Sequence, residues 1–134
     1  MFECLILGDS IGVGTAQAIN ARYLRRCEVQ AVERATADQI RSWRRPAKPY
    51  GAAIFAIGSN DAPGSALARK LLNIRAGLTS RRVIWLLPYG RRQAYIVASV
   101  AATFGDETLD LKRFRSEDRI HPADYGEVAR TLLR

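Results

Sequence analysis

The stretch Leu5-Ile6-Leu7-Gly8-Asp9-Ser10-Ile11-Gly12-Val13-Gly14 decides how the rest of the chain is read. An apolar run ends in a turn of small residues carrying one hydroxyl, and an apolar, helix-compatible segment follows. This is the pattern of a buried strand that delivers Ser10 to the end of a sheet where a helix begins. A serine there is rigidly held, exposed and close to free backbone N–H groups, as a serine nucleophile must be. The same pattern also fits a plain strand-to-helix turn with Ser10 as the helix cap. Gly-Asp-Ser alone does not separate the two.

Working outward, strand-like and helix-like segments alternate. Val13 to about Arg22 reads as a helix, with Ala16, Ile19 and Tyr23 at helical spacing. Cys27–Val32 reads as a short strand. Ala35–Trp43 reads as a helix with Thr36 near its start, ended by the prolines of 44–49. Gly51–Ile57 is a continuous apolar run, the signature of a strand covered on both faces. Ser65 is expected to cap a helix that ends at Gly77 and buries Leu67, Leu71, Leu72 and Ile74. A strand at 82–87, a helix from Arg91 to Phe104 closed by Gly105, and a short strand at 108–111 come next. Pro122 is expected to open the last helix after a charged loop. Five such alternations predict one α/β domain over residues 1–134, a five-stranded parallel sheet with helices on both faces. Ligands of such sheets bind beyond the carboxyl ends of the strands. Trp43 and Trp85 are assigned to packing, and Asp9 and Asp61 to turn-holding backbone hydrogen bonds.

Composition narrows the function classes. A chain of 134 residues, 48% of them hydrophobic, suffices for one core. No run approaches the ~20 apolar residues of a membrane span. The apolar start lacks a basic flank and runs straight into the serine turn, so it reads as a strand and not as a signal peptide. A cytoplasmic location is therefore expected, with export or packaging by other means as the alternative. Cys4 and Cys27 are expected to be two buried thiols, with a bridge between neighbouring strands left open. Two cysteines and one histidine do not make a metal site, and no cofactor is expected. The net charge of +8 is nearly all arginine and favours anionic partners. Nucleic acid is disfavoured, because the arginines are spread along the chain without interleaved aromatics.

Three features fall at the predicted carboxyl edge. Ser10 follows the first strand, Asn60 follows the third, and Asp118-Arg119-Ile120-His121-Pro122 precedes the last helix. His121 is the only histidine. A turn that folds Asp118 back onto Nδ1 of His121 would fix the tautomer and leave Nε2 to take the Ser10 proton. The order serine, aspartate, histidine is one of several that such sites use. The Asn60 side chain and the Ser10 N–H are candidate oxyanion donors; Gly58-Ser59-Asn60-Asp61 is also simply a good turn. Tyr89, Arg91 and Arg92 follow the fourth strand, where they either line the cleft or form a solvated loop and helix start.

These residues give the chain a resemblance to the SGNH hydrolases, the GDSL esterase/lipase family. Gly8-Asp9-Ser10, Gly58-Ser59-Asn60-Asp61 and Asp118-Arg119-Ile120-His121-Pro122 match three of its blocks in order, over nearly the whole chain. The resemblance implies a flavodoxin-like three-layer α/β/α sandwich. It also implies a catalytic Ser10, Asp118 and His121, with the Ser10 amide and Asn60 as oxyanion donors. One block departs from the family. Where it has Gly-Val-Ser-Gly-Ala-Thr, this chain has Ala31-Val32-Glu33-Arg34-Ala35-Thr36, which puts Arg34 at the oxyanion-hole glycine. Arg34 keeps a backbone N–H, but glycine serves there if the backbone angle is unusual. Its side chain would either occlude the pocket or reach an anionic substrate group. The chain is short for the family, so an open site is expected. The predicted activity is hydrolysis of a small acyl ester, acetyl first, on a carbohydrate or similar carrier, with an anionic carrier as a further expectation and Arg34 and Tyr89 in substrate binding. The alternatives are a degenerate member that binds an acylated or anionic glycan, and a basic nucleic-acid-binding domain.

Overall fold

The computed structural model describes residues 4–22, 27–44 and 48–133. The strands are β1 (Cys4–Gly8), β2 (Glu28–Ala31), β3 (Tyr50–Ala56), β4 (Ser80–Leu87) and β5 (Glu107–Asp110). The helices are α1 (Ser10–Arg22), α2 (Ala37–Ser42), α3 (Ser65–Ala76), α4 (Arg91–Phe104) and α5 (Tyr125–Leu132), with a 3₁₀ turn at Leu111–Arg113. All strand pairs are parallel, in the order β2-β1-β3-β4-β5. This is the expected flavodoxin-like α/β/α sandwich.

Period-two alternation splits the apolar strands between two cores. Leu5, Leu7, Ala53, Phe55, Ile57, Val83, Trp85 and Leu87 face α2, α3 and α4. Cys4, Ile6, Ala52, Ile54, Ala56, Ile84 and Leu86 face α1 and α5. The central strands are buried on both sides, which is why β1, most of β3 and the Val83–Leu87 part of β4 read as apolar runs. Phe55 and Trp85 meet edge to face, with centroids 4.7 Å apart. Trp85 donates its indole N–H to Asp106 at 2.9 Å, and the same buried carboxylate takes two bonds from Arg75 at 2.7 and 3.0 Å.

Several local expectations change. Helix α1 begins at Ser10, three residues before the predicted start, and Tyr23 lies outside the described residues, as do 45–47 of the proline segment. Thr36 caps α2 in a full capping box with Gln39. Ser65 is not a cap: Gly64 holds that position, at φ +155°, with no side-chain bond, and Ser65 is the first helical residue. Pro122 does not open α5. Asp124 caps it, taking the Gly126 N–H at 2.8 Å, and Pro122 is buried in the preceding loop. Leu67, Leu71 and Ile74 are buried as expected, and Leu72 is half-buried. Cys4 and Cys27 are not free thiols: they form a buried disulfide across the amino ends of β1 and β2, with Cα atoms 4.7 Å apart. Among the described residues, no helix is long and apolar enough to cross a membrane.

The strand order places a topological switch between β1 and β3, since the chain leaves β1 for β2 and then crosses back to β3. Crevices at such points, beyond the carboxyl ends, are where open α/β sheets bind ligands. The segments leaving β1 and β3 are those carrying Ser10 and Asn60.

Candidate active site

The β1–α1 junction is built by Asp9. Its N–H extends the β1–β3 ladder to the Ala56 carbonyl at 2.9 Å, and its own carbonyl accepts the first helical bond, from Val13, at 3.0 Å. Its Oδ1 takes the Ile11 N–H at 2.9 Å. Asp9 therefore stands in the cap position, and Ser10 is left uncommitted to capping. Gly8 is required here because a Cβ would collide with the Ala56 carbonyl. Asp9 is fully buried, and its Oδ2 has no hydrogen-bond partner among the described residues. Burial pushes its carboxyl up to about 7, against the pull of the Ile11, Asp9 and Gly12 N–H groups and with some help from the Asp61 charge.

Ser10 Oγ lies 2.8 Å from His121 Nε2, and His121 Nδ1 lies 2.7 Å from Asp118 Oδ2. The other Asp118 oxygen accepts the N–H groups of Ile120 at 2.9 Å and His121 at 2.8 Å. Ser116 braces the loop from inside: its hydroxyl donates to the His121 carbonyl at 2.6 Å and accepts the Arg119 N–H at 2.9 Å. Arg119 adopts a left-handed φ of +60° to complete the bend. The contact with His121, followed by the two N–H groups, holds the Asp118 carboxyl well below the usual carboxylate range. A depression of about 320 Å³ borders Asp118 and His121, with Arg115 and Glu117 on its rim.

Arg34 and Asn60 stand at the ends of the strands flanking β1. Val32 donates to the Gly8 carbonyl at 3.1 Å, and Ala35 closes a turn onto Val32 at 3.2 Å. Arg34 sits in that turn at φ +64°, the left-handed region that favours glycine. Its side chain is exposed and has no hydrogen-bond or ion-pair partner among the described residues. Asn60, also exposed, donates its side-chain amide to the Ala35 carbonyl at 3.1 Å, so the two loops are tied together. The structure joins Ser10, His121 and Asp118 in one hydrogen-bonded line and joins Asn60 to the Arg34 turn. No hydrogen bond links these two groups directly among the described residues.

Asp61 is not confined to its own turn. Both its oxygens take the Ala37 N–H at the start of α2, at 3.1 Å. Tyr89 gives its hydroxyl to the Phe114 carbonyl at 3.1 Å, and Arg91 forms a bidentate pair with Asp110 at 2.9 and 3.0 Å. Both therefore anchor the segment leading to Asp118. Sequence reading missed Ser116, whereas the turn-holding bond expected of Asp9 is present, from the Ile11 N–H. A hydroxyl two residues before the aspartate of a tight loop is the signal for Ser116.

Two groups on neighbouring elements bear on the same region. The Tyr125 ring packs directly on Gly14, where a Cβ would overlap it. Burial, then the charges of Asp9 and Asp118, raises the Tyr125 phenol well above its ordinary value. Among the described residues, no three His, Cys, Asp or Glu side chains are grouped to hold a metal ion.

No protein-family model matches the chain, and no curated protein matches it at a significant level. Solved structures do. LAE5, an alpha/beta hydrolase enzyme from the metagenome of Lake Arreo, Spain, superposes with a TM-score of 0.71 at 19% identity, over 98% of this chain and 93% of that one. The inhibitor-bound form of an M. smegmatis aryl esterase superposes with a TM-score of 0.57 at 14% identity, over 99% of each chain. At these identities the likeness establishes the fold, and it does so over essentially the whole length of all three chains.

Proposed function

We propose that this chain is an ester hydrolase of the SGNH type, with Ser10 as nucleophile. The observation that carries the reading is the unbroken line from Ser10 Oγ to His121 Nε2 at 2.8 Å and from His121 Nδ1 to Asp118 at 2.7 Å. The description of the two similar structures as an alpha/beta hydrolase and an aryl esterase supports it at the level of ester chemistry.

In this reading Ser10 Oγ attacks the acyl carbonyl while His121 Nε2 takes its proton. Asp118 holds the ring and stabilises the imidazolium. The oxyanion is received by the Ser10 N–H, the second amide hydrogen of Asn60 and the Arg34 N–H. His121 then protonates the leaving alcohol. Water, deprotonated by the same nitrogen, releases the acid and restores Ser10. The left-handed backbone of Arg34 supports its N–H as a donor, because it reproduces the conformation a glycine would supply. A small acyl group on a carbohydrate suits an open site, and the exposed Arg34 guanidinium suits an anionic carrier, with Tyr89 bordering the site.

The test is hydrolysis of p-nitrophenyl acetate by wild type, Ser10→Ala and Arg34→Gly. The expected result is turnover by wild type, lost by at least about 10³-fold in Ser10→Ala. Inactivity in all three would leave the second reading, a family member that binds an acylated glycan without cleaving it, which the exposed Arg34 side chain favours.

A further inference from the structure

On the sheet face opposite α1 and α5, a depression of about 380 Å³ opens between α2 and α3. Arg41, Ala66, Arg69, Lys70 and Asn73 line it. The α3 members are spaced i, i+3, i+4 and i+7, so they form one stripe, distinct from the buried stripe of Leu67, Leu71 and Ile74. Three cations thus line one groove together with Ala66 and the Asn73 carboxamide.

Their charge is only partly answered by the protein. Asp38 serves two of them, at 2.8 Å from Arg41 and 3.9 Å from Lys70. Among the described residues, Arg69 reaches only the neutral Ser65 hydroxyl, at 3.5 Å. Like charges gathered on two facing helices repel one another, and an anion lying between them removes that cost. Guanidinium groups take carboxylates in bidentate fashion, and an asparagine amide both donates to and accepts from hydroxyls. Among the described residues, no aromatic ring on which a nucleobase could stack lines the groove.

One lining residue, Ala66, is the second residue of α3, close to the loop that leaves β3 through Asn60 and Asp61. Asp61, one residue after Asn60, holds the first N–H of α2, and the Arg34 turn runs directly into the Thr36 cap. Arg41 lies four residues along α2 from Ala37, about 6 Å, and Asn73 eight residues along α3 from Ser65, about 12 Å. An extended ligand of two or three sugar units spans this distance.

We infer that the α2–α3 groove binds an acidic glycan, the carrier whose acyl ester is presented at Ser10 past Arg34. This rests on the ester-hydrolase reading for the acyl group, but the groove is testable apart from it. A fluorescently labelled, unacylated oligogalacturonate is titrated into the full chain by anisotropy at low and at moderate salt. Wild type is compared with Arg69→Gln/Lys70→Gln and with Arg81→Gln/Arg130→Gln, which removes equal charge elsewhere on the surface. The expected result is wild-type binding weakened at least about 10-fold by the groove pair and less than about 3-fold by the control pair, with added salt weakening it further. Absence of binding by wild type overturns the inference. So does equal loss in both pairs, or tighter binding of a single-stranded DNA of matched charge. Hydrolysis of p-nitrophenyl acetate should be unchanged by Arg81→Gln/Arg130→Gln. Glycan binding that follows Arg69 and Lys70 in a chain inert toward esters supports the groove and refutes the hydrolase reading, so the two fail separately.

Discussion

Asp118 holds His121 twice, taking its backbone N–H at 2.8 Å with one oxygen and standing 2.7 Å from its Nδ1 with the other. Ring and main chain are thereby oriented by a single carboxylate, which the same contacts keep ionised far into the acid range. Asp118→Asn preserves an acceptor for the backbone but turns an amide donor toward Nδ1, which favours the wrong tautomer. We expect kcat on p-nitrophenyl acetate to fall by about 10³–10⁴. The melting temperature, read by circular dichroism, should move little, because Asp118 is exposed.

Arg34→Gly removes the exposed guanidinium and keeps the left-handed backbone beneath it. A non-glycine residue in the left-handed region costs on the order of 1 kcal/mol or more. Glycine returns much of that through the entropy of the unfolded chain. Arg34→Gly should therefore leave thermal stability within a few degrees of wild type, whereas Arg34→Val should lower it clearly. Turnover of a neutral acetate ester should survive in Arg34→Gly, while KM for an acidic acylated glycan rises. A KM that stays constant as salt is raised would remove the electrostatic role of Arg34.

Asp9 makes stability depend on pH with an unusual sign. Its carboxyl is raised from 3.8 to about 7 in the folded chain, so the native state holds this proton where the unfolded chain has lost it. Between those values stability falls as pH rises, by up to about 1.4 kcal/mol per pH unit for this group alone. Asp9→Asn keeps the acceptor for Ile11 and removes the titration. Its melting temperature relative to wild type should climb steadily from pH 4 to pH 7 and level off above. A difference independent of pH would mean that Asp9 does not titrate in this range.

The disulfide closes the loop from Cys4 to Cys27, a separation of 23 residues, and secures the edge strand β2, which pairs only with β1. Loop closure of that length is worth about 3 kcal/mol. Cys4→Ser/Cys27→Ser, or wild type under thiol reductant, should melt roughly 10 °C lower. Wild type in reductant should match the double variant.

The architecture was legible because strands buried on both faces cannot hide their composition. The runs 4–8, 51–57 and 83–87 hold no charged or polar side chain, and parallel order follows from the helices between them. Element ends were less legible. Gly64 displaced Ser65 as cap, and α5, capped by Asp124, starts three residues after Pro122, its expected first residue, since a helix start depends on where the incoming loop bends. The disulfide was hidden for a different reason: two cysteines say nothing of distance until β1 and β2 are adjacent and in register.

By itself the sequence determined the alternation of elements, and with it that Ser10, Asn60 and the Asp118–His121 loop come to one edge of a parallel sheet. It also determined the basic balance that bears on partners. Only the tertiary structure decided which contacts exist at that edge. Asp9 took the cap and left Ser10 to His121, Asn60 turned to the Ala35 carbonyl, and Tyr89 and Arg91 were drawn into anchoring. It likewise gathered Arg41, Arg69 and Lys70, from two helices, onto one groove. The physical reason is range. Periodicity and turn chemistry act over a few residues, whereas hydrogen bonds between residues 25 or 111 positions apart form only after the strand order has closed the space between them.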